Sequence, residues 1–171
     1  FGMDSAAWGF VWRAIAHSFL TIITLGLMVP RQTFYLEKYM ADRTWFGDAQ
    51  FVQNGRWQSL YPGLKHIGLG FLIIIGAGVV AATLEAFRLA FFLGVFGYIW
   101  LIFGSVYYRI FALNYLTSNK LLNGQIGFYS GAQAGKVVGI AIKGTLLIAL
   151  VGAIIGLVFT GVSAVLLTSV D

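Results

Sequence analysis

His17 is the residue whose type and setting most directly suggest chemistry. It stands inside an apolar run, and an imidazole there can ligate a haem or chlorophyll or pass protons, because an ionisable group within a membrane span is a functional candidate by default. A bis-histidine haem site needs a second ligand at matching depth. His66, which follows Lys65 at the far end of another apolar run, reads as interfacial instead. A hydrogen-bonded packing role for His17 is therefore preferred to cofactor binding, and no cofactor is expected. Arg13 precedes His17 by four residues, so both lie on one helical face. That face must avoid lipid through another span or a partner, or Arg13 must snorkel to the headgroups, which is the preferred reading.

Other patterns are weaker. Glu85 and Arg88, three apart, read as an exposed pair at a turn rather than an ion-coupling pair, and Asp42, Arg43 and Asp48 read as a solvated face. Gly131 to Val137 resembles a phosphate loop but has three residues between its glycines where four are needed, and Val137 replaces the Mg-binding Ser or Thr. The Gly76 to Ala81 stretch mimics a dinucleotide fingerprint without a preceding strand. With no cysteine, thiolate metal sites and thiol nucleophiles are excluded. No metal-ligand cluster or paired carboxylates fall within the apolar runs, so the chain is not expected to be an enzyme.

The remaining glycines read as packing surfaces. Gly135 and Gly139, then Gly152 and Gly156, present small faces that let helices approach closely, within one chain or between subunits. Gly70, Gly76, Gly94, Gly97 and Gly104 add similar notches.

The elements that must carry these residues follow from composition. Only 10% of the 171 residues are charged and 59% are apolar, far from the soluble balance of roughly one quarter charged. The apolar residues fall in four blocks near residues 8–29, 66–84, 89–106 and 137–168, each comparable to the roughly 20 residues that cross a bilayer as a helix. Pro30 favours a break after the first block.

Eleven Lys and Arg outnumber six Asp and Glu. In the first long connection stand Arg31, Lys38, Arg43, Arg56 and Lys65; in the second, Arg109, Lys120 and Lys136, followed by Lys143. Basic residues in short loops resist translocation, so both connections are expected in the cytoplasm, with the termini and the 85–88 turn opposite. The same cations suit a platform for anionic lipid headgroups or a protein partner, and they give no reason to invoke nucleic acid. Trp8, Trp12, Trp57, Tyr61, Trp100, Tyr107 and Tyr108 read as interfacial anchors.

Residues 32–42 carry aromatic and charged side chains at spacings of three and four, which suits a helix at the surface. A hairpin is predicted around Gly47–Asp48, and another at Asn123–Gly124. Gly47, Phe51, Phe34 and Leu36 recur 77 residues later as Gly124, Phe128, Phe111 and Leu113. The expected fold is thus an all-α membrane protein forming one integral membrane domain over residues 1–171. Its four transmembrane helices form two parallel repeats, about 8–84 and 87–168, each a span, an amphipathic helix with hairpin, and a span.

The run Leu20-Thr21-Ile22-Ile23-Thr24-Leu25-Gly26-Leu27 with Pro30, followed by an aromatic-basic helix and the Thr44, Gly47, Phe51, Gly55 hairpin, resembles the YjgN-like family. These are bacterial inner-membrane proteins with a domain of unknown function. Arg31 stands where that family tends to have tryptophan after the proline. The resemblance implies location and architecture but carries no catalytic residues. On these grounds the expected role is a structural or accessory subunit docked to a larger membrane complex, through other subunits or further copies of itself. A small-solute transporter or channel is the alternative.

Overall fold

A computed structural model describes residues 2–3, 7–84 and 86–168 of the chain. Helix accounts for 74% of the protein. Phe1–Ala132 forms one compact unit and Gln133–Asp171 a second.

Within the first unit, α1 (Ala7–Ile23) is followed by a tight turn and α2 (Val29–Ala41). The block at 8–29 is expected to run unbroken to Pro30, yet α1 ends six residues before Val29. Its end is a Schellman motif: Gly26 N–H donates to Thr21 O at 2.8 Å and Leu25 N–H to Ile22 O at 3.0 Å, satisfying carbonyls that would otherwise be orphaned. Pro30 does not make the break. It lies buried in the first turn of α2, where a missing N–H has no helical partner to lose.

The chain then reverses. Gln32 of α2 donates from Nε2 to Ser18 Oγ at 3.0 Å and accepts from Thr21 Oγ1 at 2.9 Å. Farther along, His17 stacks on Tyr35 and Phe10 packs on Tyr39. The descending order on α1 against the ascending order on α2 makes them an antiparallel pair. The helix read from residues 32–42 thus packs along α1. The polar face of α1 at Arg13, His17, Ser18 and Thr21 finds its partners on α2.

Two hairpins and the chain's opening build a small antiparallel sheet, a departure from the all-α expectation. It is ordered β1 (Gly2–Met3), β2 (Thr44–Phe46), β3 (Ala49–Gln53), β4 (Lys120–Leu122) and β5 (Ile126–Gly127). Both turns fall where expected, with Gly47 at φ +60° and with Asn123 and Gly124 at φ +52° and +68°. A lone hairpin is marginal in water, and here β3 pairs directly with β4, Phe51 opposite Leu122 and Gln53 opposite Lys120. Gly2 pairs with Trp45, so the chain's opening lies beside the first long connection rather than opposite it.

A 3₁₀ segment (Trp57–Leu64) leads into α3 (Lys65–Leu84), which packs against α4 (Phe87–Ser118). The contact needs glycine at Gly104, where a Cβ would lie 2.8 Å from Ile67 N, and at Gly97, where it would lie 2.8 Å from Ile74 Cγ1. Gly70 meets Leu101 similarly, whereas Gly76 and Gly94 remain open. The α4 helix runs unbroken through residues 105–118, which contain neither Gly nor Pro, so the expected separate amphipathic helix is simply its continuation.

The core sits where this continuation meets α2 and the 3₁₀ segment: Phe34, Leu60, Tyr108, Ala112 and Leu116 are buried together. Tyr108, read as an interfacial anchor, is only 5% exposed and donates its hydroxyl to Thr33 Oγ1 at 3.1 Å. By contrast, Leu72, Ile75, Phe91 and Phe92 on α3 and α4 are exposed.

The second unit is a long helix, α5 (Ala134–Thr168). Among the described residues, three helical stretches are long and apolar enough to cross a membrane: Trp57–Thr83, Phe87–Ser118 and Ala134–Gly152; α1 is apolar but shorter.

Candidate functional site

The amphipathic face of α2 gathers cations over aromatic rings. The Arg13 guanidinium lies 4.3 Å above the Tyr39 ring and that of Arg43 lies 3.8 Å from it. Arg31 lies 5.7 Å from the Tyr35 ring, on which His17 also stacks at 5.6 Å and 9°. An arginine over a ring face is held by the ring quadrupole while the rest of the guanidinium keeps its donors free. Arg13, which is exposed, spends one of these on Gly9 O at 3.1 Å. His17 sits in this aromatic and cationic stack.

Two platform cations are consumed internally. Lys38 pairs with Asp42 at 2.9 Å and donates to Gln53 O at 3.1 Å. Lys120 of β4 pairs with Glu37 of α2, tying the second hairpin to the first connection. Asp42 also accepts from Gln53 N–H through Oδ1 at 3.1 Å. It is therefore a half-buried structural group rather than part of a solvated face. Gln53 itself is 1% exposed and donates to Leu116 O.

Arg56, Lys65, Arg109 and Lys136 are exposed, and none makes an ion pair among the described residues. Lys65 lies 5.1 Å from the Tyr107 ring. Tyr115 OH accepts from Arg56 N–H at 2.8 Å and donates to Arg56 O at 3.1 Å, fixing the backbone that presents this arginine. The free basic surface is thus narrower than the eight cations of the sequence suggest. His66 is enclosed by Trp100, Phe103 and Tyr107. It is a member of an aromatic cluster.

On α5, a Cβ added at Gly135, Gly139 or Gly152 meets no atom within 4 Å. Gly156 lies in α5 and its surroundings are not described, and Glu85 lies outside the described residues. Among the described residues no group of three His, Asp or Glu side chains gathers as a metal site requires.

Sequence reasoning missed a pair of hollows beside the core. One, of about 410 Å³, is lined by Ile22, Leu25, Leu27, Val29, Ile67 and Phe71, with Gly68 at its wall. The other, of about 440 Å³, is lined by Val29, Thr33, Ile67, Ser105, Tyr108 and Arg109, among others. The first depends on the reversal between α1 and α2, and the second on the packing of α2 against α3 and α4, neither of which a local pattern announces.

No curated protein and no solved structure matches the chain. A family of bacterial proteins of unknown function, DUF898, matches residues 1–160, and the chain belongs to it.

Proposed function

We propose that this protein is a non-enzymatic, multi-pass component of the bacterial inner membrane, of the YjgN-like type, that docks as an accessory subunit to a larger membrane assembly. The observation that carries this reading is the unequal use of glycine on α3 and α4. Gly70, Gly97 and Gly104 are consumed by the contact between the two helices, while Gly76 and Gly94 stay open amid exposed apolar side chains. Small residues on an apolar helix let a neighbouring helix approach closely, so the open notches suit a further subunit.

A common offset between matching elements supports reading the chain as a parallel internal repeat. α2 ends at Ala41 and α4 at Ser118, the 3₁₀ segment begins at Trp57 and α5 at Ala134, and the turn glycines are Gly47 and Gly124. Each pair is 77 residues apart. The long connections, with exposed Arg56, Lys65 and Arg109, are assigned to the cytoplasmic face because their cations resist translocation.

The test is extraction from native membranes in mild detergent, blue-native separation and mass spectrometry of the co-migrating proteins. A stoichiometric complex that Gly94→Leu or Gly152→Leu dissolves is the expected outcome. A lone chain or homo-oligomer that conducts a solute when reconstituted by itself would replace this reading with transport.

A further inference from the structure

We infer that the two hollows together form a binding groove for one anionic phospholipid, with an acyl chain in the apolar end and the phosphate against Arg109. The hollows are neighbours, with Val29 and Ile67 lining both. Their order follows from the α3–α4 register. Gly63 lies against Tyr108 and Phe111, Ile67 against Gly104, and Gly70 against Leu101. The hollow lined by Tyr108 and Arg109 is therefore at the end nearer the sheet. The hollow lined by Phe71 extends along α3 into the stretch long and apolar enough to cross a membrane.

The chemistry of the two ends differs accordingly. At the deep end Ile22, Leu25 and Leu27 are 73%, 89% and 63% exposed, which is tolerable beside hydrocarbon and costly beside water. A water-borne ligand does not reach such an opening, whereas a lipid of the same leaflet enters it sideways. At the other end stands the exposed Arg109, which has no ion pair among the described residues, while the Tyr108 and Thr33 hydroxyls beside it already donate to Thr33 Oγ1 and Val29 O. A guanidinium matches phosphate geometry with two parallel donors. Each hollow falls within the roughly 300–1,000 Å³ typical of small-molecule sites. The apolar chain, the depth and the cation together select a phospholipid with a net negative headgroup.

This inference rests on the membrane reading above but not on a partner, and the test uses the full chain purified alone. Its outcome is readable whether or not a complex exists. The chain is delipidated in detergent, then titrated with dioleoyl phosphatidylglycerol or dioleoyl phosphatidylcholine and observed by native mass spectrometry. One phosphatidylglycerol should be retained, at least fivefold more tightly than phosphatidylcholine. Arg109→Gln should abolish that preference while leaving chain binding. Gly68→Leu fills the apolar hollow from a position where an added Cβ meets nothing within 4 Å, and it should weaken both lipids at least fivefold with an unchanged melting midpoint. Equal retention of the two lipids by the unaltered chain overturns the inference, as does a preference that survives Arg109→Gln. Displacement of the adduct by inorganic phosphate also overturns it, since a headgroup held without its chain is a phosphate site. Should Gly68→Leu fail to fold, the exposed Arg109→Gln substitution decides alone.

Discussion

Phe51 and Phe128 meet across the sheet with ring centroids 5.8 Å apart and planes inclined by 31°, although 77 residues separate them. Each follows its own hairpin glycine by four residues, and their contact joins one hairpin to the other. Tilted aromatic pairs contribute about 0.5–1.5 kcal/mol beyond the area they bury. A double-mutant cycle of Phe51→Leu and Phe128→Leu should return a coupling energy of about 0.5–1 kcal/mol, measured by thermal or denaturant unfolding in detergent. Strict additivity would mean that the hairpins do not rely on each other.

The α3–α4 contact separates two glycines that sequence alone treats alike. A methyl group on Gly104 collides with Ile67 N and His66 C, which are backbone atoms and cannot swing aside. Gly104→Ala should therefore cost about 1–3 kcal/mol, the range for overpacked sites. Gly94→Ala, in open space, should leave the melting midpoint unchanged or raise it slightly, since alanine is the better helix former.

The α1–α2 turn holds a leucine in the left-handed region, Leu25 at φ +51°, followed by Gly26 at φ +90°. A side chain there costs roughly 1–2 kcal/mol relative to its usual conformations, and glycine is the common occupant of this position in a Schellman motif. Leu25→Gly should stabilise the chain by about 0.5–1 kcal/mol, and Gly26→Ala should destabilise it by a similar amount. Opposite shifts of the melting midpoint for the two variants are the signature sought.

Much was legible from the chain alone because its causes are local. Low charge and long apolar blocks identify helices able to cross a bilayer, and α3, α4 and α5 fall in three of the four blocks. Gly47 and Asn123–Gly124 mark both turns, since positive φ is a property of the residues themselves. The spacing of Phe34, Tyr35, Lys38 and Tyr39 identifies α2 by its face. What tertiary structure decided was where those faces went. The reversal at Leu25 depends on a leucine accepting a glycine-like conformation, and propensity argues against that. It brought Arg13 and His17 against the Tyr39 and Tyr35 rings. The pairing of β3 with β4, the burial of Tyr108 and the capture of Lys120 by Glu37 each join residues about 70 or more apart. No window of sequence contains both partners of any of these contacts, so only the folded chain could reveal them.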